Sequence, residues 1–304
     1  RELAILEGKL GPEHPRLLVT LRNIAALLHE GNDLAGAEAV LRRTVAIAEK
    51  VHGPASPELA ESLNQLAVVL HARGAYPAEE PLCRRALAIR EQALGPDHPD
   101  VGTSLLNLGN CLRAQGRYAE AEPPYRRAPA LREKVYGPGH PEVAEVLKEL
   151  AVLLGFRGRY PDADALYERA QAIEEKALGP DDPELARTLH YRAVLHTEMG
   201  DLDGAEAMYR RALAIREKTL GPAHPHVAAT HGNLGAVLFQ RGDLVGAEAA
   251  FRKALAIAEQ AVGRDHPDVA AYLNNLAEVL RTRGDWVEAA GLYERSAGIV
   301  ERTL

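Results

Sequence analysis

Gly95-Pro96-Asp97-His98-Pro99 is the third of seven related phrases that begin at Gly11, Gly53, Gly95, Gly137, Gly179, Gly221 and Gly263, each 42 residues after the last. A strict internal period of about 20–50 residues marks an array of small stacked units. Each unit packs only on its neighbours, so a chain of 304 residues need not divide into two globular domains. Such arrays present a long surface to another molecule, and chemistry is not the first expectation for them.

The unit after this phrase reads as two helices. Pro99 suits a first helical position, where its missing N–H costs nothing, with Asp97 or His98 placed to cap. Apolar residues then recur at Val101, Leu105, Leu108, Gly109 and Leu112, the three-four spacing of one helix face. Gly116 ends that helix, and Asn32, Gly74, Gly158, Gly200, Gly242 and Gly284 hold the same place, as a left-handed C-cap requires. A second helix is expected from about Ala119 to Val135, with Ala121, Tyr125, Ala128 and Leu131 inward, ended by Gly137 and Pro138. Pro129 stands where Val45, Leu87, Leu213 and Leu255 stand elsewhere, so a kink near Tyr125 is expected, either a tolerated accident or a hinge.

The result is an all-α solenoid of seven repeats, 11–52, 53–94, 95–136, 137–178, 179–220, 221–262 and 263–304, after an N-terminal helix remnant at 1–10. Residues 1–10 align with 43–52 and the chain starts at Arg1, so the expectation is a fragment of a longer protein that opens inside a missing repeat. Apolar groups near Tyr293 would then lack a following repeat, and end-to-end self-association through uncapped termini is expected to be open to it.

Composition narrows the partners. A net charge of −7 argues against a nucleic-acid binder, which would carry a basic stripe. No apolar run approaches the ~20 residues that span a membrane, and no secretory signal is present. Cys83 and Cys111 make no disulfide framework, and Cys83 takes the place of Leu41, Tyr125, Tyr167, Tyr209, Phe251 and Tyr293, a packing position. A cytoplasmic setting is the default. Arginines outnumber lysines 29 to 7, and with abundant Ala, Gly and Pro this hints at a GC-rich bacterial genome.

Leu273-Asn274-Asn275-Leu276-Ala277, Gly116-Arg117-Tyr118-Ala119-Glu120-Ala121-Glu122 and Arg211-Ala212-Leu213-Ala214-Ile215-Arg216-Glu217-Lys218 resemble tetratricopeptide repeats (TPRs). The 42-residue period and the Gly-Pro-Asp-His-Pro linker resemble the kinesin light chain-like subtype. The resemblance implies a right-handed superhelix whose first helices line a concave side. It also implies a non-enzymatic module that binds a peptide or protein segment, as the eukaryotic subtype binds cargo adaptor peptides. Similar bacterial arrays serve as sensor arms of STAND-class signalling ATPases, which makes recognition of a folded partner the alternative. A self-assembling scaffold is a third possibility.

On the expected concave face one column of positions reads Arg22, Asn64, Leu106, Lys148, His190, Gly232 and Asn274, and the next reads Asn23, Gln65, Asn107, Glu149, Tyr191, Asn233 and Asn275. Both columns are expected to face solvent. Carboxamides are poor helix formers but offer a donor and an acceptor to an extended backbone. In the family, asparagines at matching sites hold the peptide main chain. The match is full at Asn274 and Asn275 and partial at Asn64, Gln65, Asn23, Asn107 and Asn233. The same residues could instead bond neighbouring repeats together. Glu149 and Tyr191 break the pattern and are expected to divide a groove into two subsites. One turn on, His29, His71 and Arg113, with Arg22 nearby, form either a mildly basic cluster suited to an acidic peptide or a drifted solvated face.

Nothing in the sequence points to an enzyme, a metal or a cofactor. His14, His98, His140, His224 and His266 recur once per repeat, and helices ~8–10 Å apart cannot bring such a row to one zinc ion. They read as capping residues. His226 and His231 are five apart, poorly placed to share a metal. Glu49, Glu91, Glu133, Glu175, Glu217, Glu259 and Glu301 read as partners between adjacent repeats, and Glu38–Arg42, Glu80–Arg84, Glu206–Arg210 and Glu248–Arg252 as i,i+4 pairs.

Overall fold

The linker phrase acts as a stop followed by a start. In a computed structural model that describes residues 2–303, Gly53, Gly95, Gly137, Gly221 and Gly263 end helices with φ of 85–89° and ψ of 155–168°. That backbone region is essentially restricted to glycine. Three residues on, a side chain caps the next helix. His98, His140, His224 and His266 accept from the amide two residues ahead, Ser56 and Asp182 do the equivalent, and a proline follows each. His14 Nδ1 likewise accepts from the Arg16 amide at 3.2 Å. The recurrent histidines are therefore caps, as their spacing predicts.

Two compact units result, residues 1–157 and 158–304, divided in the turn after Phe156. The first holds α1 (Glu2–Leu10), α2 (Leu17–Glu30), α3 (Leu34–His52), α4 (Pro57–Ala72), α5 (Tyr76–Leu94), α6 (Pro99–Ala114), α7 (Tyr118–Tyr136) and α8 (Pro141–Phe156). The second holds α9 (Tyr160–Ala177), α10 (Pro183–Met199), α11 (Leu202–Leu220), α12 (Pro225–Gln240), α13 (Leu244–Val262), α14 (Pro267–Arg283) and α15 (Trp286–Thr303). The fold is all-α, with no strand among the described residues. Within each pair the turn is closed by Asn32 or by a glycine with positive φ, from +60° at Asn32 to +99° at Gly284. Pro123, Pro124 and Pro129 lie inside α7, which runs through them for 19 residues, the length of α3, α5, α11 and α13.

Small residues on the first helix of a pair receive large ones from the second. A Cβ on Gly109 would meet the Tyr125 ring at 3.1 Å, and one on Gly235 would meet Phe251 at the same distance. Tyr125, Tyr209 and Phe251 are buried accordingly, and Cys83 occupies the same buried place. Burial, with Glu79 beside it, pushes the Cys83 thiol far up, so it is a packing residue with no thiolate to offer.

Two rows of ion pairs join successive repeats. The first is the expected one: Arg85 meets Glu49 at 2.5 Å, Arg127 meets Glu91 at 2.8 Å, Arg211 meets Glu175 at 2.6 Å and Arg295 meets Glu259 at 2.5 Å. The second extends the i,i+4 pairs. Glu38, Glu80, Glu206 and Glu248 hold Arg42, Arg84, Arg210 and Arg252 of their own helices at 2.6–2.8 Å. The same carboxylates also hold Arg73, Arg117, Arg241 and Arg283 of the next repeat. Glu122 repeats this with Arg126 and Arg157. These carboxylates are largely buried, so pairing from both sides offsets a desolvation cost that surface pairs do not carry.

Replacing Gly95 by alanine is expected to lower stability by roughly 1–3 kcal/mol, because φ is +88° there. Gly139→Ala, in the following linker without a positive φ, is the control and should be neutral or slightly stabilising. Urea midpoints of the two variants check this.

Candidate functional site

The expectation that both carboxamide columns face solvent needs correction in the first. Asn64 is 4% exposed, Lys148 is 5% exposed, and Gly232 lies under the Tyr272 ring. Successive first helices pack directly on one another, α4 on α6 and α12 on α14, and close over Asn64 and Gly232. Asn64 Nδ2 donates to Ser104 Oγ on α6 at 2.9 Å, and Arg90 Nη1 donates to the same oxygen at 3.1 Å. Asn64 is thus a link between repeats. Arg22 is half-buried, its Nε donating to the Leu18 carbonyl at 3.3 Å.

The second column is open. Asn23 and Asn275 are exposed, and Gln65, Asn107 and Asn233 are half-buried, while in the first column Asn274 is exposed. Gln65 donates from Nε2 to Glu61 at 3.2 Å and leaves Oε1 without a hydrogen-bond partner among the described residues. Two adjoining depressions run over this column between α2, α4 and α6. One, of about 190 Å³, is lined by Arg22, His29, Gln65 and Val68. The other, of about 250 Å³, shares His29 and Val68 and continues to His71, Asn107 and Asn110. Five of the residues singled out in the sequence, from three repeats, therefore line one trough.

The basic cluster is smaller than the sequence suggests. His71 Nδ1 lies 3.0 Å from the Glu79 carboxylate, which stands buried where other repeats place Ala37, Ala121 or Ala163. Arg113 donates to the Tyr125 hydroxyl at 3.2 Å and lies 3.6 Å from Glu149. Arg22 and His29 are the residues of this set for which no acidic partner is found among the described residues.

In the second unit His190 takes the place of Asn64. Arg216 Nη1 donates to its Nδ1 at 3.3 Å, which puts the proton of the neutral ring on Nε2, and Asn233, whose Nδ2 lies 3.4 Å away, can bond it only with its amide turned to present Oδ1. Burial, followed by Arg216 and His226, pushes the His190 pKa down to about 4. A pocket beside it is lined by Glu184, Arg187, Tyr191 and His226.

Tetratricopeptide-repeat patterns match residues 17–58, 58–134, 125–176, 142–218, 184–260 and 226–302. The chain belongs to the tetratricopeptide-repeat family. No curated protein matches it over its sequence. Among solved structures it resembles BtubC (BKLC) of P. vanneervenii, at 22% identity and a TM-score of 0.65, covering 77% of this chain and 92% of that one. A Podosopora anserina protein described as a kinesin light chain with nearly identical TPR-like repeats matches at 25% identity and a TM-score of 0.61, over 68% and 98% of the two chains. A Rap protein complexed with competence and sporulation factor matches at 15% identity and a TM-score of 0.58, over 93% and 74%. The TPR fold is generally a protein–protein interaction module. No helix is long and apolar enough to cross a membrane among the described residues.

Sequence reasoning missed a polar seam in this TPR array between α9 and α10. Arg192 and His196 stand where other repeats place Leu66 and Leu70, and both meet Asp164, at 2.6 and 3.0 Å. Arg192 also donates to Gln171 at 2.9 Å, in a column otherwise held by Val45, Leu87 or Leu213. Burial alone would raise the Asp164 pKa, but Arg192 and His196 outweigh it and hold the carboxyl below its ordinary value. The four exchanges occur together, a signal legible by stacking the repeats column against column.

Asn64→Ala should lower stability by roughly 1 kcal/mol, the net worth of a buried hydrogen bond, whereas Asn107→Ala should leave it unchanged. Parallel urea titrations separate the two. The depressed His190 pKa means the unfolded chain takes up the proton first. Its stabilising contribution is complete above about pH 6.5 and is lost as pH falls toward about 4. Burial shifts His226 and His231 in the same direction. Thermal midpoints should fall over that window, with a shallower slope in His190→Gln.

Proposed function

We propose that this chain is a non-enzymatic interaction module that holds an extended peptide segment of a protein partner in the trough between α2, α4 and α6. The observation that carries this reading is the convergence of Arg22, His29, Gln65, His71 and Asn107 on two adjoining depressions. Val68, 45% exposed, gives the trough an apolar floor for a small side chain. The half-buried carboxamides of Gln65 and Asn107 stand at the spacing of one repeat, suited to bond a main chain in extended form. Arg22 at one end favours an acidic residue there. The fold shared with a Rap protein complexed with competence and sporulation factor is in keeping with ligand binding by such arrays.

Selection from a random peptide library against the 304-residue chain tests it. Selected peptides should bind Asn107→Ala and Val68→Glu at least about tenfold more weakly, about 1.4 kcal/mol, with thermal midpoints unchanged. Equal binding to the parent chain and both variants would remove recognition from this trough.

A further inference from the structure

Three departures from the 42-residue pattern meet at one place in the second unit. His231 on α12 holds the column of Leu21, Leu63, Leu105, Leu147, Leu189 and Leu273, each at most 2% exposed, and is itself 5% exposed. Ala250 on α13 holds the column of Val40, Leu82, Leu166, Met208 and Leu292. Lys253, one turn further along α13, holds the column of the arginines that pair with the glutamate of the preceding repeat at 2.5–2.8 Å. That pairing is missing here. Glu217, the counterpart carboxylate, lies 3.7 Å from His231 Nε2, and Lys253 has no ion-pair partner among the described residues.

The shortened side chain at 250 and the polar one at 231 border an open-mouthed cavity of about 370 Å³. Small-molecule pockets range over about 300–1,000 Å³, so its size admits such a ligand. Its body is mostly apolar, formed by Leu213, Leu234, Leu238 and Ala250, with Arg210, held by Glu206, also in its lining. Because α12 runs antiparallel to α11 and α13, Glu217, His231 and Lys253 fall together at one end. Burial, followed by Lys253, holds the His231 pKa below its ordinary value, so the ring is neutral at pH 7 and offers one donor and one acceptor.

We propose that this cavity binds a free α-amino acid with a large apolar side chain, its carboxylate on Lys253, its ammonium on Glu217 and its side chain over Leu234 and Ala250. The opposite charges at one end select for a zwitterion. A lone carboxylate would meet Glu217, and a lone amine would meet Lys253, each as a repelling neighbour. The cavity belongs to the second unit and the trough between α2, α4 and α6 to the first, and the inference does not depend on peptide binding there.

Calorimetric titration of the 304-residue chain with L-phenylalanine, L-tryptophan and L-leucine tests the site, with phenylpropionate, phenethylamine and N-acetylphenylalanine amide as controls. Saturable one-to-one binding of at least one amino acid is expected, at least about tenfold tighter than its one-charge or uncharged analogues. Ala250→Leu restores the side chain that other repeats carry and should fold normally by circular dichroism while abolishing binding. Lys253→Arg, which restores the pairing with Glu217, should weaken it. No saturable binding up to the solubility limit would overturn the proposal. So would binding unchanged in Ala250→Leu, or analogues that bind as well as the amino acids.

Discussion

A glutamate gripped from two sides sets the register of five of the repeats on the next. Glu38, Glu80, Glu122, Glu206 and Glu248 are each held by an arginine one turn along the same helix and by another at the turn of the following pair. Apolar contacts between alanine-rich helices are short-ranged but weakly directional. A largely buried carboxylate tolerates few geometries, because an unpaired one would be costly. The glycine linkers fix where each helix stops, the small-against-aromatic contacts fix how a pair closes, and the shared glutamate fixes how pairs meet.

Much of this was legible before any coordinates. The linker glycines, histidine caps and left-handed turns are local devices, and a period of 42 repeats each one often enough to be read with certainty. The ion-pair row from Glu49 to Arg85 was legible as a repeated acid, though its partner was not named by the sequence. The carboxamide columns were only half legible. A helical wheel shows which face of its own helix Asn64 occupies, but not that α6 packs over that face. His71 and Arg113 misled for a related reason, since the acids that engage them come from other helices.

Departures from the repeat are the informative positions, because the other repeats show what packing alone would place there. At the seam, Arg192, His196 and Gln171 replace apolar residues while Asp164 replaces the glutamate of its column, and the exchanges make sense only together. At Glu79 and Cys83 a larger residue replaces alanine beside a smaller one that replaces an aromatic, so volume is traded within one helix turn. At His231, Ala250 and Lys253 the exchanges do not compensate, and space and unpaired charge remain.

The two-sided glutamate has a consequence for how such a chain changes over generations. Its donor and acceptor surfaces are alike from one repeat to the next, so a gene segment lost or copied in multiples of one period would still encode faces that fit. Unequal recombination could then lengthen or shorten the array without any new interface having to arise. A repeat with a substituted seam, such as that around Asp164, is the exception: it fits only the neighbour that carries Arg192 and His196, and so is held in its place in the order.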